Sequence, residues 1–197
     1  MKTIMVDMDN VITDGSFKKY IEEFFDISFE LDDLTEYAYV QKMTQADAKG
    51  FWNYVKNKNF YKDAPLLDGC FEVLKKLNEK YDVYIVTSYL WNETIDISGN
   101  NLSNKYYYLQ KMLPFIKPEK YIFTTSKDLL NFDIRIDDRI NNLNGATTKL
   151  LFTAWHNRSI PTNELKEKNI VRVNNWKDIE KDSHESFLVR SIEVPYL

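Results

Sequence analysis

"TIMVDMDNVITDG", residues 3–15, is a short apolar run that closes on two carboxylates, Asp7 and Asp9, one residue apart. The apolar stretch 2–8 is too short for a helix, and its pattern predicts a buried strand. An unpaired charge at the end of such a strand is costly. The two acids therefore face either water or something positive, and the rest of the chain has to supply it.

The wider composition narrows the choice. The chain has 197 residues and a formal charge of −4, so the broad basic footprint of a protein that binds a nucleic acid polymer is not expected. A small anion held by a few local groups is still allowed. An apolar fraction of 44%, with 4 Trp, 13 Tyr and 12 Phe, is enough for one core domain with a small insertion. A single cysteine, Cys70, allows neither an internal disulfide nor a paired-cysteine metal site. The start "MKTIMVDMDN" turns acidic at once, and no segment approaches 18 apolar residues, so a soluble cytoplasmic protein with no membrane contact is expected.

Along the chain, strand and helix signals alternate. Strands are predicted in 82–89, 120–125, 133–138, 144–155 and 169–176. Helices are predicted in 16–27, in 68–81 with Asp68 as cap and Phe71, Leu74 and Leu77 inward, and in 104–116, ending before Pro118. Two short helices are expected around 41–58, and residues 91–104 read as a polar loop. The alternation predicts an α/β fold, a parallel sheet with helices on its faces. Residues 15–63 break the rhythm and hold 12 of the 29 aromatics. They read as a helical cap inserted after the first strand, which leaves 1–14 and 64–197 as the core. The tail 183–197 fits no element.

In an open parallel sheet, ligands bind beyond the carboxyl ends of the strands. The first strand delivers Asp7 and Asp9 there, the second Thr87 and Ser88, the third Ser126 and Lys127, and the fourth Asp137 and Asp138. Several carboxylates at one rim repel one another unless a proton or a cation intervenes. Oxygen ligands without clustered His or Cys suit Mg²⁺. A carboxylate can attack phosphorus, while a hydroxyl and a lysine hold the phosphoryl oxygens.

These motifs resemble those of the haloacid-dehalogenase (HAD) superfamily of phosphatases. "DMDNVITD" (7–14) resembles its first motif, "VTS" (86–88) its second, Lys127 its third and "IDD" (136–138) its fourth. The ten-residue step from Lys127 to Asp137, "DIRIDD" and the stretch "NFYKDAPLLDGCFEVLKKL" resemble one branch, the 5'(3')-deoxyribonucleotidases. The resemblance implies a Rossmann-type HAD-like core and hydrolysis of nucleoside monophosphates through an aspartyl-phosphate. It also implies homodimers, which are common among its members. By resemblance Asp7 is nucleophile and Mg²⁺ ligand, and Asp9 is general acid/base with its carbonyl on the metal. Thr87, Ser88 and Lys127 bind phosphate, and Asp137 and Asp138 hold Mg²⁺.

Two positions depart from the branch. Asn10 stands where the branch usually has glycine, which is tolerable if φ is positive there, since asparagine accepts the left-handed region better than most residues. Gly15 stands where animal members place an aromatic against the base. Phe51 and Trp52 are candidate base contacts, weighed against a role as cap core. Lys105 either reaches the phosphate or is solvated, with the solvated reading preferred. Asp14 is a helix cap or a substrate contact, and His156 reads as structural. Two rivals stand beside the nucleotidase: a HAD phosphatase for a sugar phosphate or another small ester, and a receiver-like phosphoacceptor domain. The order of the acids and the inserted cap argue against the receiver.

Overall fold

The computed structural model describes residues 1–28 and 45–183. Its sheet has six parallel strands: β1 (Thr3–Val6), β2 (Asp82–Thr87), β3 (Tyr121–Phe123), β4 (Ile134–Asp137), β5 (Thr148–Phe152) and β6 (Ile170–Val173). They lie in the order β3-β2-β1-β4-β5-β6. β1 is central, with Val6 in register with Ile85 of β2 and Ile136 of β4. Met5 and Val6 are wholly buried, as expected of a strand covered on both faces. This is the predicted α/β architecture, and the order steps away from β1 in both directions. The carboxyl ends of β1, β2 and β4 therefore meet at one place.

Helices α1 (Phe17–Phe25) and α2 (Gln45–Val55) lie between β1 and α3 (Cys70–Lys80). α4 (Ser98–Met112) links β2 to β3, α5 (Thr162–Glu167) precedes β6, and α6 (Trp176–Ser183) follows it. α1 and α2 are joined by aromatic side chains. Phe51 is fully buried, with Phe17 edge-on at 5.6 Å and Phe24 at 5.8 Å. Phe60 stacks on Phe17 and meets Trp91 edge-on at 4.8 Å, which ties this cluster to the segment after β2.

Several local expectations are corrected. α3 begins after Gly69, whose φ of 76° suits glycine, and not at a cap from Asp68. Asp68 is exposed and pairs with Lys177 at 2.7 Å. On α3, Cys70, Val73, Leu74 and Leu77 face inward, whereas Phe71 is 36% exposed and packs edge-on against Phe115. α4 starts six residues earlier than predicted and ends before Pro114, not Pro118. The residue preceding a proline disfavours helical backbone, and Leu113 at ψ 59° ends the helix there. A 3-10 turn, Asn92–Ile97, occupies the rest of the supposed loop. In 41–58 the described part is the single helix α2. The tail after Ser183 lies outside the described residues. Among the described residues, no helix is long and apolar enough to cross a membrane.

Candidate active site

Two groups of side chains meet at the carboxyl end of β1. The first is built almost entirely from strand ends. Asp7 follows β1 directly, and its N–H bonds the Ile136 carbonyl at 2.9 Å, tying it to β4. Its Oδ1 accepts the Met8 N–H at 2.7 Å and lies 2.8 Å from Lys127 Nζ. Lys127 opens a 3-10 turn after β3 and also reaches Asp137 Oδ2 at 2.7 Å. Asp137 Oδ1 accepts the Arg139 N–H at 2.9 Å and Asn142 Nδ2 at 3.0 Å. Asp138 Oδ2 takes Asn10 Nδ2 at 2.9 Å and lies 2.7 Å from His156 Nε2. Asn157 Nδ2 holds the Asp138 carbonyl at 2.8 Å.

Asp7, Asp137 and Asp138 are all buried, and each offers a carboxylate oxygen within 4.8 Å of the others. Burial pushes Asp7 up to about 6. Lys127 offsets part of this, and the charges of Asp137 and Asp9 add to it. Burial raises Asp137 in the same way, again partly offset by Lys127. Burial alone would lower the Lys127 ammonium, but Asp7 and Asp137 outweigh it and hold it above its ordinary value. Three crowded carboxylates against one lysine leave excess negative charge in a dry place. A hard divalent cation is the species that oxygen donors of this kind would hold.

The second group surrounds Asp9, whose side chain is 40% exposed. Tyr61 donates its phenol to Asp9 Oδ1 at 2.7 Å. Lys105 Nζ lies 2.5 Å from Asp9 Oδ2 and 2.7 Å from Thr87 Oγ1, and it also donates to the Ser88 carbonyl. Thr87 ends β2 and is buried. Ser88 Oγ is turned toward its own loop, where it accepts the Leu90 N–H at 3.3 Å.

Asn10 has a φ of 59°, the left-handed conformation that its place in the motif required. Its side chain binds Asp138, so this departure from glycine also adds a contact. The expectation that Lys105 is solvated is corrected: it is fully buried, because α4 starts early enough to carry it under the rim. Phe51 is buried inside the aromatic cluster, which leaves it no face for a ligand. Trp52 is half-buried between Phe17 and Trp91. Asp14 does not cap α1, whose N-cap is Ser16. It lines a cleft of about 230 Å³ with Asn10, Trp155 and Arg158.

Sequence reasoning missed Tyr61 and the contact of His156 with Asp138. Only the position of His156, just past a strand end, was a signal.

Residues 1–184 match the family described as "5' nucleotidase, deoxy (Pyrimidine), cytosolic type C protein". The 5'(3')-deoxyribonucleotidase of Bacillus subtilis (strain 168) is 29% identical over 183 residues, 91% of this chain and 97% of that one. The protein of the same name from Bacillus phage SPbeta matches equally. A haloacid dehalogenase-like family hydrolase from Xanthomonas campestris shares the fold at a TM-score of 0.55 and 9% identity, covering 98% of this chain and 99% of that one.

Proposed function

The chain belongs to the family of the cytosolic type C deoxy (pyrimidine) 5' nucleotidases, and on that premise we propose that it hydrolyses nucleoside monophosphates, deoxyribonucleotides above all, in the cytoplasm. Its membership and its 5'(3')-deoxyribonucleotidase relatives make it a phosphomonoester hydrolase. The observation that carries the reading is a pair of buried ammonium groups. Lys127 and Lys105 converge on Asp7 and Asp9, the two acids of one strand end. A phosphate ester entering there meets positive charge on both sides.

In the proposed reaction an Asp7 carboxylate oxygen attacks phosphorus, and the ester bond to the nucleoside oxygen breaks. Asp9 gives that oxygen a proton. Water then attacks the phosphorus of the aspartyl-phosphate, Asp9 takes the water's proton, and the bond to Asp7 breaks. Lys127 holds the charge on Asp7, and Thr87 and Lys105 face the phosphoryl oxygens. Asp7, Asp137 and Asp138 fit Mg²⁺ by donor type and burial. Mg²⁺ bound there supplies positive charge that offsets the carboxylates and polarises a phosphoryl oxygen. Of the paired acids, Asp138 is the better direct ligand. Both Asp137 oxygens already accept hydrogen bonds, whereas Asp138 accepts its side-chain bonds on Oδ2 alone among the described residues. Residues 15–63 act as a cap whose aromatic cluster shields the site from water.

The test is phosphate release from a panel of nucleoside monophosphates and hexose phosphates, in Mg²⁺ and then in EDTA. Deoxyribonucleotides are expected to be fastest, with activity lost in EDTA. Similar rates on hexose phosphates would replace nucleotides with a general small-ester substrate. Undiminished activity in EDTA would remove the metal.

A further inference from the structure

Asp9 has to present its carboxyl group to the leaving oxygen in one orientation, yet its side chain is 40% exposed and short. Two donors fix it, one on each oxygen: the Lys105 ammonium on Oδ2 and the Tyr61 phenol on Oδ1. Two bonds to different oxygens set the plane of a carboxylate, whereas one leaves it free to rotate. Tyr61 is itself immobile. It is 3% exposed, its ring lies 5.7 Å from that of Tyr108, and Asn59 Oδ1 accepts its N–H at 2.9 Å. The Lys105 ammonium also lies 5.5 Å from the centre of the Tyr61 ring, so the two donors brace each other.

Resting on the proposed phosphatase reading, we propose that Tyr61 is a positioning residue for the reaction. Its hydroxyl aims Asp9 at the leaving-group oxygen, and its ring holds that hydroxyl in place. The proposal gives a hydroxyl in the segment that returns from α2 to the core a role in the proton-transfer half of catalysis.

The experiment compares wild type with Tyr61→Phe, which keeps the ring and removes only the donor. It measures kcat/KM, which reports steps up to departure of the leaving group, on two substrates. A nucleoside 5'-monophosphate has an alkoxide leaving group that needs the proton. p-Nitrophenyl phosphate releases a stable phenolate that does not. Tyr61→Phe is expected to lose about tenfold on the nucleotide, the worth of one hydrogen bond to a charged group, and less than about twofold on the aryl ester. A second comparison places Tyr61→Phe in an Asp9→Asn background on the aryl ester, where no further loss is expected. Equal losses on both substrates, or a further loss in the Asp9→Asn background, would make Tyr61 a merely structural residue and overturn the proposal. So would an unchanged kcat/KM on the nucleotide. Wild type inactive on both substrates would overturn the phosphatase reading itself, an outcome distinct from a failure of Tyr61.

Discussion

The two halves of the site are built differently. The Asp7, Lys127, Asp137 and Asp138 half hangs from strand ends, is almost wholly buried, and is tied between neighbouring strands by the Asp7 N–H on the Ile136 carbonyl, with Lys127 reaching Asp7 and Asp137 from beyond β3. The Asp9 half draws Lys105 from the second turn of α4 and Tyr61 from the segment between α2 and α3, and it opens to solvent. The sheet makes the first half rigid and leaves its charge unbalanced. The second half is closer to charge balance, and its geometry depends on elements outside the sheet. This difference predicts that metal affinity and stability rest on the first half, together with the attacking carboxylate, and that substitutions in the second lower the rate without changing metal affinity.

Substitutions can break that division. Asp7→Asn should show the largest effect, a loss of at least about a thousandfold in phosphate release, because an amide is a poor nucleophile. Asp138→Asn should raise the Mg²⁺ concentration needed for half-maximal activity by about 10–100-fold, whereas Lys105→Met should leave it unchanged while lowering kcat. A titration of Mg²⁺ against rate separates the two, and equal shifts would merge the halves. Lys127→Met strands two buried carboxylates. It should cost about 3–5 kcal/mol of stability in EDTA, visible in denaturant unfolding and partly recovered with Mg²⁺.

The smallest effect is on pH. A carboxyl raised in the folded state to about 6 from an ordinary 3.8 favours folding when protonated, so its contribution is lost as pH rises through that window. In EDTA, wild type should therefore lose roughly 3 kcal/mol relative to Asp7→Asn between pH 4 and 7. Parallel stability curves for the two proteins would show that Asp7 is not destabilised by its burial.

The same division explains what the sequence could show. Asp7 and Asp137 were legible because an apolar run with a sharp end places the residue at its close on the rim, and Lys127, four residues past β3, was legible through its ten-residue step to Asp137. Asn10 was legible for a related reason, since its place in the motif demanded a positive φ that asparagine tolerates. Lys105 was not legible. Its burial depends on where α4 starts, and helix starts are weakly marked when no cap residue signals them: Ile97 precedes α4 with no side-chain cap. Tyr61 lay in a segment whose path is set by packing against Tyr108 and Phe60's neighbours, contacts with no period along the chain. His156 has no metal-type ligand partners near it in the sequence and so reads as structural, while its partner in space is Asp138, a carboxylate at the end of the neighbouring strand.

Trp176, fully buried at the start of α6, donates its indole N–H to the Val11 carbonyl at 2.7 Å across 165 positions of chain. Val11 sits in the loop that carries Asp9 and Asn10, so one end of that loop is moored to a residue far away along the chain. During translation Val11 emerges 165 residues ahead of Trp176, so this tie on the loop is the last of its contacts to become available. A nascent chain that ends before Trp176 carries the first-strand motif without this mooring of its loop.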